Sequence, residues 1–262
     1  MTILEALILG IIQGLTEFLP VSSSGHIVLG TAILNVQSKD NLLFAIIVHG
    51  ATSLSTILVF RKEIVIIVRD IFRFEWNDST IFASKIILSM IPVGIAGVFF
   101  EKEVESLFGD NIKMVASMLI VTGALLSFTY FVKNTTGEIT FFKAIIIGIS
   151  QAIAILPGIS RSGATISTAI MLGVDKEKAT RFSFLMVLIP IIGAMLLKIK
   201  DLISEPAIAS EVSISSLTVG FLAAFIAGVA ACTWMINLVK KGKLIYFAIY
   251  CILVGIIVLL FL

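Results

Sequence analysis

The sequence predicts an all-α integral membrane protein, an inverted-topology repeat of six transmembrane helices plus two re-entrant helical hairpins. Three observations lead there. Of 262 residues, 58% are apolar and 14% charged, where a soluble domain has roughly 25% charged residues, and the mean hydropathy is +1.12. Six apolar runs approach or reach the roughly 20 residues that a helix needs to cross the hydrocarbon layer. Finally, two polar breaks, each flanked by apolar pieces too short to span, read as copies of one another. The 19 Lys and Arg against 17 Asp and Glu leave a net charge of +2, too balanced for a nucleic-acid binder.

The first element is a re-entrant hairpin over 3–36, in which Ile3–Leu15 and His26–Val36 flank TEFLPVSSSG. Spans follow at 42–60, 81–100 and 114–132, completing a first repeat over 1–135. A second repeat over 141–262 opens with a hairpin over 141–174, where Phe141–Leu156 and Ala164–Val174 flank PGISRSG, and continues with spans 182–197, 217–239 and 244–262. The span at 182–197 is short and is interrupted by Pro190 and Gly193. Irregular backbone at membrane depth is tolerated only where protein or a watery cavity satisfies its polar groups, so both breaks should line a cavity.

Duplication rests on spacing. Gly10, Gln13, Ser22, Ser24 and Gly25 recur as Gly148, Gln151, Ser160, Ser162 and Gly163, 138 residues on, and Phe44 and Lys62 recur as Phe182 and Lys200 at the same distance. After a short deletion, Ile95-Ala-Gly-Val98 recurs as Ile226-Ala-Gly-Val229. Three spans per copy is an odd number, so the second copy sits upside down and the two breaks approach from opposite faces near the midplane. In this topology 13 basic residues (Arg61, Lys62, Arg69, Arg73, Lys85, Lys133, Lys143, Lys176, Lys178, Arg181, Lys240, Lys241 and Lys243) share one side, and Lys39, Lys102, Lys113, Lys198 and Lys200 the other. The richer side is cytoplasmic by the positive-inside tendency, which places both termini outside.

Chemistry concentrates in the breaks. Glu17 and Arg161 lie between apolar half-helices, where a charge costs about 2.5–3.5 kcal/mol even on the mild insertion scale, and so they are functional candidates. Ser22, Ser23, Ser24 and Gly25 precede a helix expected to begin near His26, and hydroxyls with helix-start N–H groups suit phosphate oxygens. Ser160, Arg161, Ser162 and Gly163 repeat those parts with a guanidinium able to grip two oxygens. Two such loops suggest a diphosphate. Gln13 lies four residues before Glu17, on one helical face with it. Glu17 can hold a divalent cation or take a proton, and His26 can accept a proton or donate one to a departing oxygen.

Other polar positions read as structural. His49 is a hydrogen-bonded packing residue, Gly94, Gly97, Gly220 and Gly228 allow close helix packing, and Trp76 and Trp234 are interface anchors. Cys232 and Cys251 lie inside apolar runs without metal or redox spacing. Met1–Leu15 lacks the basic start and cleavage site of a signal peptide and is expected to stay on the chain.

The strings QGLTEFLPVSSSGH, Gln13–His26, and PGISRSGATIS, Pro157–Ser167, resemble the undecaprenyl-diphosphatase family associated with bacitracin resistance. The resemblance implies a membrane phosphatase that converts undecaprenyl diphosphate to the monophosphate carrier, with Mg²⁺ or Ca²⁺ as cofactor and an active site open to the outer face of the cell membrane. It further implies Ser23 as nucleophile, Glu17 as metal-linked or basic group, Arg161 as diphosphate clamp and His26 as acid/base partner. Gln13, Ser22, Ser24, Gly25, Ser160, Ser162 and Gly163 then bind substrate. Where many relatives carry a glutamate, this chain has Gln13, which leaves the carboxylate role to Glu17 alone. The expected partners are a polyprenyl diphosphate lipid and the bilayer, not nucleic acid, with a homodimer left open. The rival reading is a transporter or flippase of polyprenyl phosphates, since inverted repeats with broken helices also build transporters; the nucleophile beside a proton acceptor favours hydrolysis.

Overall fold

A computed structural model of the chain describes residues 1–34, 36, 41–99, 111–133, 135–204 and 212–261. These form helices α1 (Ile3–Phe18), α2 (Ser23–Leu34), α3 (Asn41–Val59), α4 (Arg61–Ile71), α5 (Asp78–Phe99), α6 (Ile112–Phe128), α7 (Phe141–Ile153), α8 (Arg161–Met171), α9 (Lys176–Ser204), α10 (Ile214–Lys240) and α11 (Leu244–Phe261). Among the described residues the β-pairing is a single isolated bridge, Gly137 with Val174. The protein is all-α. The expected span ends Phe100 and Leu262 and the basic residues Lys39 and Lys102 lie outside the described residues.

Local sequence sets the helix starts. Thr2 and Glu5 cap α1 reciprocally: the Thr2 hydroxyl accepts from the Glu5 N–H at 3.2 Å and Glu5 Oε2 from the Thr2 N–H at 2.8 Å. Asn111, Thr140, Ser160 and Ser213 cap α6, α7, α8 and α10 in the simpler way, each side chain accepting an N–H of the first turn. Five helices, α5, α6, α9, α10 and α11, are long and apolar enough to cross a membrane, and the bent pair α3–α4 makes a sixth. The fold is that of a multi-pass membrane protein, with large apolar side chains such as Leu54, Ile91, Ile226 and Leu253 exposed along the helices where a soluble protein would hide them.

Two expectations are corrected here. The span at 182–197 is not short: α9 runs 29 residues, straight through Pro190. Neighbouring helices can compensate a hydrogen bond lost to proline inside a membrane, and Pro92 lies inside α5 in the same way. After α3 the chain turns by 78° into α4, an element the sequence reading did not predict. None of the α4 residues is buried; Glu63 faces the bundle in an ion pair with Arg181 at 2.5 Å, while Val65, Val68 and Ile71 are exposed. That arrangement suits a helix lying in the interfacial plane.

Helix packing relies on small residues. A Cβ on Gly10 of α1 would lie 2.5 Å from the Gly220 carbonyl oxygen of α10, one on Gly14 2.5 Å from that of Ala224, and one on Gly148 of α7 would strike the Ser89 carbonyl of α5. The α6–α11 contact is reciprocal: a Cβ on Gly123 would lie 2.8 Å from Ala248 O, and one on Gly255 2.7 Å from Ala116 O. Gly220 and Gly228 are packing positions as expected, with Phe44 and Ser55 against them, whereas a Cβ on Gly94 or Gly97 meets nothing within 4 Å among the described residues. A shared core crosses both halves of the chain, joining Phe18, Phe60, Phe182, Phe184, Met186 and Met235. Phe18 meets Phe184 edge-on at 5.6 Å.

Gly123→Val and Gly255→Val should therefore each lower the melting temperature of the detergent-solubilised protein, at a cost of about 1–3 kcal/mol from overpacking. Gly97→Ala should leave it unchanged within about 0.5 kcal/mol. Thermal unfolding monitored by circular dichroism checks both.

Candidate functional site

The first break occupies four residues between α1 and α2. Gln13 and Glu17 lie one turn apart on the buried face of α1, and the Gln13 Nε2 donates to Glu17 Oε2 at 2.9 Å. Leu19 leaves the helix in extended conformation, and Ser22 adopts a left-handed backbone with φ +70°. For a residue with a Cβ this costs on the order of 1 kcal/mol, which the surroundings must over-determine. They do: the Ser22 hydroxyl accepts from the Gly25 N–H at 3.2 Å, and its carbonyl accepts from the His26 N–H at 3.1 Å and from His26 Nδ1 at 2.9 Å.

The helix thus starts at Ser23, three residues before the expected His26, because Ser22 is the cap. Ser23 and Ser24 consequently fall in its first turn, with their N–H groups at the positive end of the dipole. The Ser23 hydroxyl donates to Glu17 Oε2 at 2.6 Å. His26 does not reach it. One ring nitrogen faces the Ser22 carbonyl and the other, Nε2, lies 2.8 Å from the Tyr250 hydroxyl of α11, with the rings stacked. His49 Nε2 approaches Glu17 Oε2 to 3.9 Å while its Nδ1 donates to Ala45 O, so the packing histidine borders the carboxylate.

The second break repeats this construction. Ser160 Oγ accepts from the Gly163 N–H at 3.1 Å and approaches the Ser162 hydroxyl at 3.3 Å, much as Ser22 Oγ approaches Ser24 at 3.4 Å. Gly158 has φ +95° and a Cβ on it would lie 2.4 Å from Val115 O, so glycine is required there twice over. Thr122 of α6 pins the loop, accepting from the Ser160 N–H at 2.9 Å and donating to Gly158 O at 3.1 Å.

The breaks touch. A Cβ on Gly25 would lie 3.3 Å from the Gly158 α-carbon, a Cβ on Gly163 3.4 Å from Pro20, and the Ser162 hydroxyl donates to Leu19 O at 3.4 Å. Gln13, Glu17, Ser22, Ser23, Ser24, Gly25, Ser160, Arg161, Ser162 and Gly163 accordingly converge from two loops, and His26 flanks them. Among the described residues Glu17 and Arg161 form no ion pair within 4 Å, and Arg161 Nη1 is buried with no hydrogen-bond partner. So is Gln13 Oε1. Buried polar atoms call for partners, and an anion would suit Arg161 and a cation or water the amide oxygen; Ser53 Oγ, Gln151 Oε1 and Ser167 Oγ are likewise without a partner among the described residues. Sequence reasoning missed Tyr250 and Thr122, which lie on distant helices and carry no local signal.

The fully buried Gln13 is also the clearest cation clue. Oxygen from its amide and from Glu17 suits a hard divalent ion, and no cluster of three or more His, Cys, Asp or Glu occurs among the described residues, so such an ion would complete its shell with water and substrate oxygens.

The model of the family described as "Bacitracin resistance protein BacA" matches residues 6–257. The chain is 54% identical to the undecaprenyl-diphosphatase of Bacteroides fragilis over 97% of this chain and 96% of that protein. It is 54% identical to that of Christiangramia forsetii, over 100% and 98%. It is 37% identical to that of Methanobrevibacter smithii, over 98% and 97%.

An anion bound between the breaks should stabilise the fold by mass action. At a concentration of about 100 times its dissociation constant, inorganic pyrophosphate should add about 2.7 kcal/mol to the wild type. Arg161→Gln should lose most of that increment, as read by melting temperature against pyrophosphate concentration.

Proposed function

The chain belongs to the family of the bacitracin resistance protein BacA and is an undecaprenyl-diphosphatase, and from that premise we propose that the two touching breaks are its active site. The protein is a membrane hydrolase that converts undecaprenyl diphosphate to undecaprenyl phosphate and inorganic phosphate, which returns the lipid carrier to cell-wall synthesis and underlies bacitracin resistance.

One observation carries the site assignment: the Ser23 hydroxyl is bonded at 2.6 Å to the carboxylate of Glu17, and the break packed against it carries a buried guanidinium nitrogen without a partner among the described residues. Glu17 takes the hydroxyl proton as Ser23 attacks the terminal phosphorus. The bond from that phosphorus to the bridging oxygen breaks, and undecaprenyl phosphate leaves. Water then hydrolyses the phosphoserine to release inorganic phosphate. Arg161 and the helix-start N–H groups of α2 and α8 hold the equatorial oxygens, where the charge of phosphoryl transfer resides. Gln13 orients Glu17 through its 2.9 Å bond, which suits the amide this chain carries in place of a second carboxylate. Mg²⁺ or Ca²⁺, held by Glu17 and the amide oxygen of Gln13, would offset negative charge on the diphosphate. Ser22, Ser24, Gly25, Ser160, Ser162 and Gly163 shape the two anion-binding turns, and the prenyl chain stays among the spans.

The repeat boundaries, 1–135 and 141–262, and the inverted relation of the two halves belong to the same reading. They are supported by the exchanged contacts, Gly10 with Gly220 against Gly148 with Ser89, and Gly123 with Ala248 against Gly255 with Ala116. The charge asymmetry of the loops supports termini facing outward, and an active site open to the outer face belongs to the same reading. A homodimer is compatible with the same architecture.

Ser23→Ala and Glu17→Gln should each reduce kcat for phosphate release from a polyprenyl diphosphate by about 100-fold or more. Arg161→Gln should raise KM as well, and a chelator should abolish turnover until Mg²⁺ or Ca²⁺ is returned. Wild-type rates in Ser23→Ala and Arg161→Gln together would remove the assignment. For the orientation, in a background without Cys232 and Cys251, Lys113→Cys should react with an impermeant thiol reagent in intact cells while Lys241→Cys stays shielded; the opposite pattern inverts the topology.

A further inference from the structure

The His26–Tyr250 pair is not used in the chemistry above, and it is joined to the loop that carries Ser23. A carbonyl oxygen can only accept, so the 2.9 Å contact between His26 Nδ1 and Ser22 O requires the proton on Nδ1. A neutral imidazole then presents Nε2 as a lone pair, and the Tyr250 hydroxyl, 2.8 Å away, donates to it. The two rings stack at 5.6 Å between centroids with 14° between planes, which holds the hydroxyl beside the imidazole. Both ring nitrogens are therefore engaged, and neither is left to remove the Ser23 proton.

The far end of this chain of bonds is the strained residue. The Ser22 carbonyl accepts from both the backbone N–H and the ring of His26, and Ser22 is the left-handed cap residue immediately before Ser23. A tyrosine from the last helix thus reaches, through one imidazole, the backbone that aims the attacking hydroxyl. Tyr250 is 224 residues from His26 in the chain and touches neither Ser23 nor Glu17 among its described hydrogen bonds.

We propose that Tyr250 is a positioning residue of the phosphatase: its hydroxyl fixes the tautomer and orientation of His26, which in turn clamps the Ser22 carbonyl and sets Ser23 on the Glu17 carboxylate. The kinetic part rests on the active site assigned above; the tautomer does not. Holding a nucleophile in line affects the transition state more than substrate affinity, so loss of the clamp lowers kcat and spares KM.

The chain has two histidines, His26 and His49, which makes ¹⁵N-histidine spectroscopy of the full-length protein in detergent tractable, with His49→Gln supplying the assignment. The wild type should show His26 protonated at Nδ1 with a hydrogen-bonded, unprotonated Nε2. Tyr250→Phe, which keeps the ring, should move the Nε2 resonance to a position free of that hydrogen bond. The same variant should lower kcat about fivefold with KM and melting temperature unchanged. Tyr246→Phe, at an exposed position one turn away on α11, should change none of these. A wild-type His26 carrying its proton on Nε2 overturns the inference, as does an Nε2 resonance unmoved in Tyr250→Phe, or a change in KM with kcat intact. A wild-type protein that released no phosphate would instead remove the functional reading and leave the spectrum to decide the contact.

Discussion

A backbone that stops being helical among apolar helices must find its hydrogen bonds within the protein, and the architecture follows from meeting that requirement twice. Each break meets it with a serine whose hydroxyl receives the N–H three residues on, Gly25 for Ser22 and Gly163 for Ser160. The rest comes from outside each break: Thr122 receives the Ser160 N–H, and the Leu19 carbonyl receives the Ser162 hydroxyl. Packing the two breaks against each other is thus both their structural solution and the reason that polar side chains gather there. Close approach of the flanking helices, enforced by glycines whose Cβ would strike a facing carbonyl, brings the breaks within reach.

The two breaks share capping and differ in chemistry. At the spacing of 138 residues, Arg161 occupies the place of Ser23, and Ile155 that of Glu17. Both follow the capping serine and both open a helix, so the backbone geometry that presents a hydroxyl in one break presents a guanidinium in the other. An arrangement of two like breaks would give two weak anion sites. In the proposed mechanism, the one differing first-turn residue and the one differing carboxylate position give a single site with an attacking side and a gripping side.

Much of this was legible in the sequence because hydropathy and spacing report directly on burial. The six spans, the two interrupted segments and the residues that converge between them all follow from run length, from Gly, Pro and Ser punctuation and from a constant offset. What sequence did not reveal depended on partners remote in the chain. The continuity of α9 through Pro190 and the turn into α4 are decided by neighbouring helices. Whether an intramembrane glycine is a contact depends on what faces it, which separates Gly220 from Gly97. Thr122 and Tyr250 resemble ordinary span residues until the fold places a break beside them. The surroundings of His26 were hidden for the same reason: its position after three serines suggests an acid/base partner, and only the fold places the Ser22 carbonyl and the Tyr250 hydroxyl beside its two ring nitrogens.

Charge balance explains why a neutral residue at position 13 is compatible with the chemistry. Gln13 is fully buried and donates to Glu17, so the amide shares in stabilising one carboxylate instead of adding a second that would have to be desolvated beside it. Among the described residues Glu17 and Arg161 are not paired within 4 Å, and His49 is the cationic-capable side chain nearest the carboxylate, at 3.9 Å. A diphosphate entering this nearly neutral site brings several negative charges, of which Arg161 and the two helix starts can offset only part. The remainder is what a divalent ion would neutralise, and the amide oxygen of Gln13, buried without a donor, is the atom left available to help hold it. A second carboxylate would bind such an ion more tightly but would leave a heavier uncompensated charge whenever the ion departed.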